Sequence, residues 1–416
     1  MNLLQLELKR VLRTRMTAIL LAAALVLAVF MAYLPVTFVG RAEQDANGNT
    51  VQYTGLTAVQ KRKEHQVSGT ITTETMQEAL AAYQKLFEEY DAKSISDLPV
   101  AVFYAELSQY QPFVNDAKEA YADPNTGVAP GVMNLTADDM THFYDQLSKR
   151  LEAVIRVENQ GQKGYEEAQA IARKKFDTVQ KPYTYYFGAS SEAIEYQSLL
   201  GLLLTLLCAV IAAPIFAVDA QTGAQDIQLC TKHGGLRLAG VKLAAALLVT
   251  GGAYLLCGVV WIVVTNTLFG WEGTQTSVQW LFSVTSLLPY TTGQMQWVML
   301  LGNFLMFLTE VTFALAVSVW ARNNLTSLAA ALVSVVAPLI VYMVVPGELG
   351  EWLSTLLPAG GIGLSNALLY KMYNFDFLFA GGHAFFQADV LWALAPVKIL
   401  LFLALAVWGY RRKMEH

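Results

Sequence analysis

The stretch FAVDAQTGAQDIQLCTKHGGLRLAGVKL, residues 216–243, joins two long apolar runs through a short polar segment. The polar segment carries acids, bases and glycines. Each flanking run is long enough for a helix to cross a hydrocarbon core of about 30 Å. The pattern therefore predicts two membrane-spanning helices joined by a compact hairpin. On its residues alone, the hairpin could be a solvated loop, a phosphate site or a docking site for another protein.

The composition of the whole chain also favours a membrane protein. Of its 416 residues, 55% are hydrophobic and 15% are charged, whereas an average soluble domain is about a quarter charged. The net charge is −5, and most of the acids lie in the segment from Arg41 to Glu195. A net acidic segment argues against nucleic acid as a partner. No metal site is predicted, because histidines such as His65 and His233 have no ligand-like spacing to any cysteine.

Six apolar stretches are long enough to cross the membrane, and each should be helical because lipid offers no partner to a backbone amide. The predicted fold class is an all-α polytopic membrane protein with six transmembrane helices and a mainly helical extracellular domain between the first and second. The predicted spans are Met16–Val36, Leu199–Val218, Val241–Leu268, Trp297–Trp320, Leu325–Val345 and Val390–Tyr410.

Basic residues indicate the orientation of these spans. They precede the first span, lie between the second and third and between the fourth and fifth, and follow the sixth. The short loops on the other side have almost none, with no Lys or Arg from Asn266 to Gln296. The positive-inside rule then places both termini in the cytoplasm and residues 37–196 outside. The basic residues are Lys9, Arg10, Arg13, Arg15, Lys232, Arg237, Lys242, Arg322, Arg411, Arg412 and Lys413.

The first 15 residues have the pattern of an amphipathic helix lying in the inner interface. Leu4 and Leu8 fall on one helical face, with Arg10 and Arg13 opposite. The following apolar run could also be a signal peptide. We expect an uncleaved first helix instead, because the run is too long for a typical signal sequence and no clear cleavage site follows.

The segment 37–196 is the one sizeable water-soluble unit. Apolar residues recur at helical spacing in 73–92, 141–157 and 165–179, which predicts a mainly helical bundle. The predicted division of the chain is 1–15 interfacial helix, 16–36 first span, 37–196 extracellular domain, 197–218 second span, 219–240 hairpin, 241–345 third to fifth spans, 346–389 extracellular re-entrant or interfacial helices, and 390–416 sixth span and tail.

Two further apolar segments are predicted to lie near the outer surface of the membrane. Residues 351–375 are broken by Pro358 and a Gly-Gly pair, so they favour two short helices dipping into the outer leaflet over a single span. Residues 278–290 are expected at the outer interface, where Trp280 and Tyr290 are typical.

The hairpin has no phosphate-binding pattern, since the chain carries no G-x-x-x-x-G-K-[ST]. An acid just past the second span, a glycine four residues on, a short helix, a T-x-x-G-x-x-R pattern and a lysine opening the third span resemble the ABC-2-type exporter permeases. The N-terminal helix and the six-span plan are similar to that family too. The hairpin residues that carry the resemblance are Asp219, Gly223, Asp226, Ile227, Leu229, Thr231, Gly234 or Gly235, Arg237 and Lys242.

The resemblance implies a permease that exports a peptide, antibiotic, lipid or ion across a bacterial cytoplasmic membrane. Its partners would be two copies of an ABC ATPase subunit, which bind ATP and Mg and hydrolyse the nucleotide, and a second permease in a homo- or heterodimer. The chain itself would be a transporter subunit, with no cofactor of its own. Ile227 and Leu229 would offer an apolar anchor to the ATPase, while Arg237 and Lys242 hold the hairpin at the lipid–water boundary.

Three polar residues are predicted within the spans. Glu310 needs a partner, a cavity or a dimer interface, because an ionisable group in the membrane costs at least a few kcal/mol. It could be a substrate or proton contact or a structural link between helices, and Asn303 and the threonines beside it could share hydrogen bonds with it. Lys398 could snorkel outward or pair with Glu310.

Two competing functions remain open on sequence grounds. One is an ABC-linked membrane sensor whose extracellular domain binds a ligand. The other is an integral membrane enzyme, which would need convergent acids, histidines or nucleophiles at one depth. Glu310 alone does not make such a cluster.

Overall fold

The chain folds as a bundle of long helices with a polar domain inserted after the first. The computed structural model describes residues 2–64, 66–231 and 234–415, so His65, Lys232 and His233 lie outside the described residues. Within the described part, six helices are long and apolar enough to cross a membrane, which confirms the predicted number of spans. These helices are Arg15–Thr37, Ser191–Gln221, Leu236–Phe269, Thr292–Trp320, Asn324–Val344 and Gln387–Met414.

Some spans are longer than their apolar cores. The second begins at Ser191 and the third at Leu236, each several residues before its predicted start. Hydropathy marks only the part that suits hydrocarbon, whereas a helix begins where its first N–H groups are capped. At the second span, the Ser190 hydroxyl accepts a hydrogen bond from the N–H of Ala193.

The second span is interrupted at Pro214, where one helical stretch ends at Ala212 and the next begins. Proline lacks the N–H that would continue the helix, so nearby carbonyls need other partners. Ser318 and Ser327 both donate to the carbonyl of Ala213, at 2.6 and 2.7 Å. The Ser318 hydroxyl also accepts from the N–H of Phe216 at 3.0 Å. The fourth and fifth spans thus stabilise the break.

The polar domain, residues 38–190, is mostly helical. The predicted helices in 73–92, 141–157 and 165–179 are confirmed, with ends that differ by a few residues. Its α-helices are Gly55–Lys63, Thr73–Glu89, Val100–Val102, Gln111–Ala120, Ala137–Thr141, Phe143–Asn159 and Tyr165–Phe176. Shorter turns of 3-10 helix cover Ile95–Asp97 and Val132–Asn134, and a π-helical turn covers Phe103–Leu107.

The described residues also form three small antiparallel sheets, which the predicted all-α fold class does not include. Gly40–Gln44 pairs with Thr50–Thr54, Gly69–Thr70 with Thr184–Tyr185, and Phe377–Ala380 with His383–Phe386. Strands of two to five residues are too short to show a clear alternation. The first hairpin does carry a turn signal at Asn47-Gly48, a dipeptide favoured in tight β-turns.

The polar domain packs on the loop between the third and fourth spans, which contains short 3-10 turns at Trp271–Gln275 and Val278–Trp280. Trp280 is 8% exposed, and its ring lies 5.1 Å from that of Phe113 and 5.7 Å from that of Tyr183. The Trp280 ring is therefore surrounded by protein, and its position at the level of the outer interface stays a prediction. The polar domain supplies aromatic neighbours that bury the indole.

The segment between the fifth and sixth spans forms the predicted pair of short helices, Gly347–Leu356 and Leu368–Tyr373. Lys398 of the sixth span is 6% exposed. Its Nζ donates to the carbonyls of Thr355 and Leu357, at 2.6 and 2.8 Å. Lys398 therefore does not snorkel outward, because the otherwise unpaired carbonyls at the end of the first short helix bind its ammonium group.

The N-terminal helix, Leu3–Arg13, lies at the end of the bundle opposite the polar domain, together with a short helix at Ala224–Leu229. Arg10 binds Asp219 there, and Tyr410 near the end of the sixth span binds Gly234. Both ends of the described chain therefore meet the polar hairpin.

Two half-buried carboxyl groups, Asp116 and Glu119, lie near the contact of the polar domain with the loop between the third and fourth spans. Glu119 accepts a hydrogen bond from Ser283 Oγ at 2.5 Å. Asp116 Oδ2 is buried without a hydrogen-bond partner among the described residues. Burial, together with the nearby Glu119, raises the pKa of Asp116 well above its usual range. Burial also raises the pKa of Glu119.

We predict that ionisation of Asp116 destabilises the protein as pH rises above about 4, the ordinary pKa of an aspartate, and that Asp116→Asn removes this loss from the pH dependence of stability. The pKa of Asp116 is higher in the folded state than in the unfolded state. Its contribution to stability is therefore fully present below the unfolded-state pKa and is lost as pH rises through the folded-state pKa. Thermal unfolding of the purified full chain at a series of pH values measures the slope.

Asp123→Asn is the matched control for this experiment. Backbone N–H groups of Thr126 and Asn125 lower the pKa of Asp123, so its contribution to stability appears as pH rises. Its removal should not reduce the loss of stability at high pH. An unchanged slope in Asp116→Asn would contradict the prediction.

Candidate functional site: the polar hairpin

The described part of the hairpin, residues 222–231 together with Gly234 and Gly235, contains a turn at Gly223 and one short helix. Gly223 has φ +71° and begins the helix Ala224–Leu229 from a left-handed conformation that favours glycine. After this helix, Gly234 lies so close to the carbonyl of Gln228 that a Cβ would be 1.6 Å from its oxygen. A Cβ on Gly235 would meet only the end of Met414, at 3.2 Å. Of the two adjacent glycines, Gly234 is therefore the one whose position has no room for a side chain.

A buried ion pair lies beneath the hairpin. Asp219, at the end of the second span, binds Lys242, near the start of the third. The two residues are 7% and 2% exposed. Lys242 Nζ also donates to Gln228 Oε1 of the short helix at 2.7 Å. The pair thus fixes the hairpin to both spans that it connects.

Arg10 completes this network from the N-terminal helix. Its Nη1 lies 3.2 Å from both carboxylate oxygens of Asp219, and its Nε lies 2.7 Å from Glu7 Oε2. The sequence places Arg10 and Arg13 on the helical face opposite Leu4 and Leu8, and both are exposed. Arg10 also reaches the buried carboxylate of Asp219, which an ion pair stabilises away from water.

The apolar face of the N-terminal helix contacts the bundle. Leu8 is half-buried and packs against the core, and Leu4 is also half-buried. Val11 is 5% exposed. The amphipathic helix predicted from the sequence is therefore present, and its apolar face packs partly on protein.

Arg237 and Lys242, both predicted at the lipid–water boundary, differ in exposure. Arg237 is exposed, as a residue at a lipid–water boundary would be, whereas Lys242 is buried. The reason is that Asp219 and Gln228 supply partners for its ammonium group. A buried charge is tolerated when a counter-ion and hydrogen bonds replace water.

The free surface of the hairpin presents one large apolar side chain. Ile227 is 73% exposed, and the neighbouring Asp226 is exposed as well. Leu229 instead is half-buried and packs against the core, so it is not part of a presented pair. Thr231 Oγ1 donates to the Gln228 carbonyl at 2.7 Å and closes the C-terminal end of the short helix.

The C-terminal end of the sixth span also supports the hairpin, and no motif in the sequence predicts this contact. The Tyr410 hydroxyl donates to the Gly234 carbonyl at 2.8 Å. Lys413 Nζ donates to Gln225 Oε1 at 3.2 Å. Glu7 and Tyr410 lie far from the hairpin in the sequence and carry no motif, so only the fold brings them near it.

The intramembrane polar residues lie apart from this site. Glu310 is fully buried, and its Oε1 accepts a hydrogen bond from Ser334 of the fifth span. The nearby Thr309 donates instead to backbone carbonyls of Met306 and Pro358. Lys398 binds the short helix described above, so Glu310 and Lys398 do not form the suggested pair. Asn303 is buried. It packs close to Gly201 of the second span, where an added Cβ would lie 3.4 Å from the side-chain nitrogen of Asn303.

The chain matches no family model, no curated protein and no solved structure. Its resemblance to the ABC-2-type permeases therefore rests on its own residues. These are the hairpin pattern from Asp219 to Lys242, the amphipathic N-terminal helix and the six spans.

We predict that Lys242→Met destabilises the protein by on the order of 3 kcal/mol, because it leaves Asp219 buried with only Arg10 as a cationic partner. The double variant Asp219→Asn with Lys242→Met should recover part of that loss, since no unpaired buried charge remains. Thermal unfolding of the purified full chain compares the variants.

Arg237→Met is the matched control, since it removes an exposed cation five residues earlier on the same helix. Its effect should stay within about 0.5 kcal/mol. Equal destabilisation by Lys242→Met and Arg237→Met would contradict the prediction that the buried ion pair stabilises the protein more than an exposed cation does.

Proposed function

We propose that this chain is the transmembrane permease subunit of an ATP-driven ABC exporter. A separate ATPase would bind ATP and Mg, and a second permease would complete the translocation pathway. The observation that carries the proposal is the exposed Ile227 on a short helix that buried ionic contacts hold in place. An apolar side chain within a polar rim is a frequent anchor of protein–protein contacts.

The contacts beneath the hairpin support a mechanical role for it. The network joins the hairpin to the second span through Asp219, to the third through Lys242 and to the N-terminal helix through Arg10. Tyr410 adds the sixth span. A displacement of the ATPase surface would therefore move these helices together rather than bend a free loop.

The distribution of charge supports the orientation that this role requires. Arg13, Arg15, Arg237 and Arg322 belong to the hairpin side of the spans, together with the basic residues after Tyr410. The positive-inside rule then assigns the hairpin and both termini to the cytoplasm of a bacterial cell and the polar domain to the outside. A cytoplasmic hairpin is accessible to an ATPase.

The substrate class stays open among peptides, antibiotics, lipids and ions. Glu310 is held by Ser334 in a contact between the fourth and fifth spans, which favours a structural link between helices. The fourth span carries both Glu310 and Ser318, and Ser318 binds the Ala213 carbonyl at the helix break in the second span. A movement of the hairpin and the second span would therefore reach the contact between Glu310 and Ser334 through the fourth span.

We predict that the full chain co-purifies with an ATPase subunit from its native membranes in mild detergent, and that Ile227→Asp removes the ATPase. A charge at the centre of a desolvated contact costs several kcal/mol, on the order of 10²-fold or more in affinity. Mass spectrometry of the purified complex identifies the ATPase by its P-loop sequence, and ATP hydrolysis by the complex gives a second readout.

Val128→Asp is the matched control, since Val128 is 67% exposed on the polar domain and should retain the ATPase. Leu229 is left unchanged because its substitution would also disturb packing beneath the hairpin. Retention of the ATPase by Ile227→Asp at the wild-type level, or the absence of any ATPase from the wild-type complex, would overturn the proposal.

A further inference from the structure

A cavity of about 460 Å³ lies at the junction of the polar domain and the spans. One wall is the C-terminal part of the helix Tyr165–Phe176, and another is the loop before the fourth span. The remaining walls are the second short helix of the segment between the fifth and sixth spans and the first turns of the sixth span. The cavity belongs to neither the hairpin nor the ion network described above.

The walls of the cavity differ in chemistry. Lys174 and Lys175 line it from the polar domain, in the last turn of a helix whose C-terminal end attracts cations. Ile171, Pro289 and Trp392, which are exposed or half-buried, give it an apolar side. A site with ammonium groups on one side and apolar surface on the other suits an anionic amphiphile.

The position of the cavity matches the depth of lipid headgroups. Trp392 lies in the second turn of the sixth span, is 37% exposed and lines the cavity. Tyr290 lines it directly before the fourth span. Trp and Tyr favour the boundary between headgroups and acyl chains. The surface next to the cavity is therefore continuous with the surface that faces lipid.

We propose that this cavity binds the phosphate headgroup of an anionic glycerophospholipid from the leaflet on the polar-domain side. The phosphate contacts Lys174 and Lys175, and the upper part of the acyl chains covers the apolar wall. Basic pockets at the ends of membrane spans are a known means of recognising anionic headgroups. This inference does not depend on the proposed coupling to an ATPase.

Asp389 modulates the site. It binds Lys175 Nζ at 2.9 Å, but its side chain is 63% exposed, and an ion pair of such exposure contributes little. A lipid phosphate can therefore compete with Asp389 for Lys175. Lys175 Nζ also lies 4.6 Å from the centre of the Phe386 ring, which holds the ammonium group at the cavity wall.

The test is native mass spectrometry of the purified full chain with equal amounts of phosphatidylglycerol and phosphatidylcholine of the same acyl chains. The wild type should retain phosphatidylglycerol preferentially. Lys174→Gln should lower this retention by about fivefold. Asp389→Asn should raise it, because the competing carboxylate is lost. The opposite directions of these two effects separate the site from general damage to the fold.

Arg173→Gln is the matched control, since Arg173 binds Glu152 outside the cavity and should retain phosphatidylglycerol at the wild-type level. A second arm adds excess glycerol phosphate or inorganic phosphate, and neither should displace the lipid. Equal retention of phosphatidylglycerol by wild type, Lys174→Gln and Asp389→Asn would overturn the site. Displacement by the soluble phosphates would overturn the assignment to a lipid.

Discussion

Hydrocarbon offers no hydrogen-bond partner, so each polar group within the spans must find one in the chain. The carbonyl of Ala213, next to the helix break at Pro214, binds serines of the fourth and fifth spans. Asp219 and Lys242 bind each other across the hairpin, and Glu310 binds Ser334. These contacts join the second span to the third, fourth and fifth and the fourth to the fifth, so the same constraint that makes the segments helical also helps to fix how they are arranged.

Much of the fold could be predicted because its signals are local. An apolar run of about 20 residues marks a span wherever it lies, and apolar residues at helical spacing marked Thr73–Glu89 and Tyr165–Phe176. The hairpin was also visible as a polar interruption with glycines. Gly223 and Gly234 adopt the turns that this pattern indicates.

The partners within the site could not be predicted, because they depend on distant parts of the chain. Arg10 and Asp219 are 209 residues apart, and neither carries a sign of the other. Lys242 is predicted as a boundary residue from its place in the sequence, but that place does not indicate that Asp219 and Gln228 bind its ammonium group. Tryptophan is a residue type typical of the membrane interface, and the sequence does not indicate that the polar domain covers Trp280. Local patterns indicate which residues are polar or apolar, whereas tertiary contacts decide what surrounds them.

The contact of Lys398 with the short helix Gly347–Leu356 has a consequence for the order of biosynthesis. Lys398 leaves the ribosome 43 and 41 residues after Thr355 and Leu357, whose carbonyls it binds. Until the last span has been inserted, those carbonyls depend on water or lipid headgroups. The segment between the fifth and sixth spans therefore reaches its final depth only at the end of translation, and a chain that lacks the last span leaves that segment incomplete.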